Sequence, residues 1–108
     1  MTKEQILAQA TYQEAIKDFH SKSMDFDLSA KAYRENKNPA KEQELMQASK
    51  SAWALYCYQM GHLLYLADHI KDVDATAAAE AAKDLRKIVF DNFQGKYNYL
   101  FIKNNPTP

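Results

Sequence analysis

Between Lys50 and Asp68 the chain runs for seventeen residues, SAWALYCYQMGHLLYLA, without an Asp, Glu, Lys or Arg. A run of that length with one glycine and no proline is too long for a strand and reads as a helix. Large side chains occur on every side of it (Trp53, Leu55, Tyr56, Met60, Leu63, Leu64, Leu66), so a single neighbouring helix does not suffice to cover it. The expectation is a central helix buried from several directions.

A membrane span is the competing explanation, and it fails on three counts. A spanning helix needs roughly twenty predominantly apolar residues. This run contains Ser51, Gln59 and His62 and is closed off by Lys50 and Asp68. No aromatic belt or basic cluster marks a membrane boundary.

Helices should dominate the rest of the chain as well. Sixteen alanines stand against eleven Val, Ile and Thr residues combined, with two glycines, an inventory that favours helix and disfavours sheet. With 108 residues, one domain is expected, spanning 1–102, and a second copy would usefully enlarge its core. The apolar anchors end at Ile102, so residues 103–108 are expected to form a disordered tail.

Three helices follow from the pattern. Thr2 and Gln5 have the form of a capping box that opens helix one at Lys3. Tyr12, Phe19, Phe26 and Tyr33 then recur every seven residues, with Ala8, Ala15, Ile16, Ser23 and Ala30 between them, a seam that holds its phase to about residue 36. Ser21–Asp27 is the weak point, because Ser and Asp can cap a new helix there; the unbroken aromatic phase favours one continuous or slightly bent helix over a break near Ser23. Asn38-Pro39, as N-cap and first helical residue, opens helix two, expected over 39–71. That helix carries two apolar series, one through Leu45, Tyr56, Leu63 and Ile70 and one through Met46, Trp53, Met60 and Ala67.

The pattern breaks at Asp72-Val73-Asp74, and Asp74 is a natural N-cap for helix three, which should bury Ala78, Ala81, Ala82, Leu85, Ile88, Val89 and Phe93. Gly95 permits either a left-handed stop followed by an extended segment or continuation of the helix to about 102; the spacing of Phe93, Tyr97 and Leu100 favours continuation. The expected fold is therefore all-α, an elongated antiparallel bundle of three long helices at about 3–36, 39–71 and 75–102, completed by dimerisation because two flanking helices leave the middle one partly uncovered.

Charge excludes one class of partner. Lys plus Arg equals Asp plus Glu at 14 each, with both signs spread along the chain, so no basic stripe is offered to nucleic acid. Cys57 is the single cysteine, which forbids an internal disulfide and suits a reducing compartment. Together with an N-terminus, MTKEQ, that does not read as a signal peptide, this leads to an expectation of a cytoplasmic protein.

No phosphate loop, zinc-ligand cysteine pair or nucleophile elbow is present. The best candidate constellation is Tyr58, His62, Tyr65 and His69, at offsets of four, three and four on one side of helix two. His62 and His69 lie about 10.5 Å apart along the axis, too far to share one zinc ion, and no Glu-x-x-His pair of the di-iron type joins them or His20. No metal or other cofactor is expected. Rings that line a helix interface, with their polar atoms bonded or wet, account for the pattern best. With Trp53 and Met60, these four residues form the candidate interface.

Two functions fit these features. The first is a non-enzymatic protein–protein interaction or regulatory module, such as an adaptor, inhibitor or immunity-type factor. The alternative is a small helical phosphocarrier or catalytic domain using His62 or His69, for which the surrounding sequence supplies neither an oriented carboxylate nor a phosphate-binding cation.

Overall fold

A computed structural model describes residues 1–96. Helices account for nearly all of it: α1 (Lys3–Leu7), α2 (Ala10–Glu35), α3 (Glu42–Asp68) and α4 (Ala75–Lys96). Long helices packed against one another make an all-α bundle, and among the described residues there is no strand. Its extents of 56 × 28 × 16 Å make it an elongated, flat molecule.

Side-chain pairs fix the directions. Phe19 meets Tyr56 and Phe26 meets Trp53, so α3 runs antiparallel to α2. Trp53 meets Phe93 and Asp68 meets Arg86, so α4 runs antiparallel to α3. Helices α2 and α4 are then parallel, and Ser23 with Asn92 and Asp27 with Lys96 bridge them at the same offset. The core gathers Ile6, Tyr12, Ala15, Phe19, Tyr56, Leu63, Ala67 and the inner face of α4 from Ala77 to Val89.

Most terminators act as their chemistry dictates. The Thr2 hydroxyl accepts from the Gln5 N–H at 3.2 Å while the Thr2 N–H donates to Gln5 Oε1 at 2.8 Å, a complete capping box. The Asn38 side chain accepts from the Ala40 N–H at 3.0 Å, and Pro39 opens a single 3-10 turn, Pro39–Lys41, that leads directly into α3. Asp74 Oδ2 accepts from the Thr76 and Ala77 N–H groups, both at 3.1 Å, and starts α4. Asp72 takes the left-handed conformation with φ of 62°, turning the chain between α3 and α4.

Three boundaries differ from expectation or settle an open one. The first long helix breaks at Ala8-Gln9, far from Ser23: Gln9 is extended, and Gln13 Nε2 donates to the Leu7 carbonyl at 2.6 Å across the bend. The bend turns α1 toward α4, where Ile6 is buried, Leu7 packs on the core, and Lys3 pairs with Asp84 at 3.2 Å. Burying a side chain of that size is worth about 1.5–3 kcal/mol, enough to offset a few interrupted helical hydrogen bonds. Helix α3 stops at Asp68 rather than 71, because His69 already departs from helical geometry. Gly95 is helical and not left-handed, so α4 passes through it to Lys96. The expected continuation over 97–102 and the tail at 103–108 lie outside the described residues.

Candidate functional site

Helix α3 has an inner face buried in the bundle and an outer face open to solvent, and both carry tyrosine rings. Tyr56, Leu63 and Ala67 share a phase on a 100° helical wheel and are buried. Half a turn away lie Ser51, Ala54, Tyr58, Gly61, Tyr65 and Asp68, all exposed. Leu55 and His62 flank this outer strip and are exposed too. As expected for a middle helix with two flanking ones, α3 is left partly uncovered within one chain.

Of the candidate interface residues, the structure keeps four together and separates two. Tyr58, His62, Tyr65 and His69 are on the outer side; Tyr65 stacks on His69 with ring centroids 4.0 Å apart, and His69 Nδ1 lies 2.7 Å from the Tyr65 carbonyl oxygen. A carbonyl oxygen only accepts, so Nδ1–H is the donor. Trp53 and Met60 are instead half-buried against the core. Trp53 sits among Phe26, Tyr56 and Phe93, with centroids 5.0, 5.4 and 6.1 Å away, so it serves the inner face.

A second constellation lies inside. Tyr56 is fully buried, and its hydroxyl donates to Asn92 Oδ1 at 2.8 Å; the Ser23 hydroxyl donates to the same oxygen at 3.1 Å. One turn along, Lys96 Nζ reaches both carboxylate oxygens of Asp27 at 2.8 Å and lies 5.8 Å from the Tyr56 ring centroid. Burial pushes the Tyr56 phenol well above its usual range, with the negative charges accessible to Cys57 and Asp27 adding to the effect. Such a phenol stays protonated and donates a hydrogen bond; it is not a base. The Cys57 thiol is likewise pushed up by burial, which suppresses the reactive thiolate. The constellation clamps α2, α3 and α4 together.

Sequence reasoning missed this clamp although its signal is present. Ser23/Asp27 and Asn92/Lys96 are both i, i+4 pairs, so each pair presents two polar groups on one helix face. Ser23 occupies the apolar phase of α2 between Phe19 and Phe26. The polar residues that looked like a helix break are the rungs joining two parallel helices.

Among the described residues no three His, Cys, Asp or Glu side chains are grouped to hold a metal ion, and no carboxylate is hydrogen-bonded to His62 or His69. Among them, too, no helix is long and apolar enough to cross a membrane. Comparison of the chain with protein-family models, with curated proteins and with solved structures finds no match.

Proposed function

We propose that the chain is a non-enzymatic protein–protein interaction module, of adaptor, inhibitor or immunity type, whose recognition surface is the outer face of α3 and whose first partner is a second copy of itself. One observation carries this reading: Leu55, Tyr58 and Tyr65 stand 52%, 71% and 58% exposed on a stretch with no charged residue for seventeen positions. A helix whose opposite side already meets its own core normally turns a charged face to water. An exposed apolar strip with a polar rim is characteristic of surfaces that bind protein. Tyrosine suits such a surface, since its ring buries area while its hydroxyl tolerates a wet edge.

Self-association is the form most compatible with an overall charge of zero, which sets no long-range repulsion between copies. A lone half-buried cysteine suits a cytoplasmic setting. Sedimentation equilibrium tests the reading. The wild-type chain is expected at twice 12.4 kDa at about 50 µM, and Tyr58→Asp/Tyr65→Asp at the single-chain mass with its helical circular dichroism intact. A wild-type mass of 12.4 kDa at that concentration overturns the homodimer.

A further inference from the structure

Resting on the reading of the outer α3 face as a self-association surface, we infer the geometry of the pair: two α3 helices pack antiparallel about a two-fold axis that passes between Gln59 and Met60. The strip Ser51, Ala54, Tyr58, Gly61, Tyr65, Asp68 has spacings of three, four, three, four and three. Such a seam reads the same from both ends, so an antiparallel copy meets it in register.

The residue sizes fit only one direction. Antiparallel pairing sets Tyr58 against the partner's Gly61, and Tyr65 against the partner's Ala54, so each large ring meets a small residue. Parallel pairing sets ring against ring in one layer and glycine against glycine in another, which alternates a clash with a void. Gly61 is otherwise unexplained. A Cβ built on it has nothing within 4 Å, so packing within its own chain does not require a glycine, yet mid-helix glycine is unfavourable relative to alanine. A partner ring approaching the helix backbone gives it a purpose.

Charges point the same way. Lys50 and Asp68 bracket the uncharged run and lie on the same flank of the strip, both exposed. An antiparallel copy brings each Lys50 beside the partner's Asp68, twice per dimer, whereas a parallel copy opposes like charges. Arg86 already binds Asp68 Oδ1 within the chain, and the other carboxylate oxygen remains able to accept. The seam is roughly 26 Å long and buries on the order of 1,000 Å² in total, at the small end for a specific interface.

Charge reversal in the full chain tests the register, with sedimentation equilibrium as the readout and circular dichroism to verify folding. Lys50→Glu and Asp68→Lys are each expected to weaken the dimer about tenfold, and the double variant, made with Arg86→Ala so that the new lysine meets no cation of its own chain, to recover to within about threefold of an Arg86→Ala reference. Gly61→Leu, which enters open space in its own chain, is expected to keep monomer stability and weaken association at least about tenfold. A wild type that dimerises while the double variant fails to recover, or while Gly61→Leu has no effect, overturns the antiparallel register and leaves the interaction reading standing. A wild type that stays monomeric overturns the register and the homodimer alike.

Discussion

The two faces of α3 carry similar apolar character and end in different environments. Leu63 inside is fully buried, and Leu55 outside is 52% exposed. Tyr56 inside donates to Asn92 beneath a lysine, and Tyr58 outside is 71% exposed. Hydropathy alone does not distinguish a core from an interface, because both are apolar surfaces waiting for a cover. What separates them is whether the same chain supplies it.

Matched truncations break or sharpen this contrast most directly. Leu63→Ala is expected to cost 2–5 kcal/mol, roughly, in chain stability by denaturant unfolding, while Leu55→Ala changes it by no more than about 0.5 kcal/mol. Equal costs would mean that the faces are not different in kind. Tyr58→Ala/Tyr65→Ala should raise the dimer dissociation constant at least about tenfold, or roughly 1.4 kcal/mol. Its unfolding midpoint at concentrations below dimerisation should match wild type.

Tyr56→Phe sharpens the inner side. It removes one donor to Asn92 and should cost about 1 kcal/mol at neutral pH. Burial raises the folded-state pKa of Tyr56 above the ordinary 10.0, so the folded chain retains a proton that the unfolded chain releases. The stability linked to this group is complete below pH 10 and is lost as pH climbs beyond it. Subtracting the alkaline stability profile of Tyr56→Phe from that of wild type should leave this descending limb; identical profiles would show that the phenol is not buried in solution. The smallest effect belongs to Gly61→Ala, expected to raise monomer stability by up to about 1 kcal/mol through helix propensity while weakening association in a sedimentation titration. A gain in both would remove the reason for a glycine there.

Much of the bundle was legible in residues. Thr2, Asn38 and Asp74 each declare a helix start through an oxygen able to accept from free backbone N–H groups, and the seven-residue recurrence of Tyr12, Phe19 and Phe26 marks the buried face of α2. The break at Ala8-Gln9 was not legible: neither residue is a helix breaker, and the gain comes from Ile6 reaching a core built largely by residues far along the chain. The same limit applies to the candidate site. Tyr58, Tyr65, His62 and His69 could be grouped by spacing, but Trp53 and Met60, equally apolar and on the same helix, belong to the core.

The sequence by itself determined that this chain is helical, where most of its helices start, and that its middle helix is apolar all round, because caps and periodicity act over a few neighbouring residues. Only the tertiary structure decided which side of that helix the chain covers itself, and that Ser23, Asp27, Asn92 and Lys96 serve as part-buried rungs between helices rather than as a break. Those outcomes depend on which helices arrive from elsewhere, on contacts between residues as far apart as Asp27 and Lys96, and no local pattern records them.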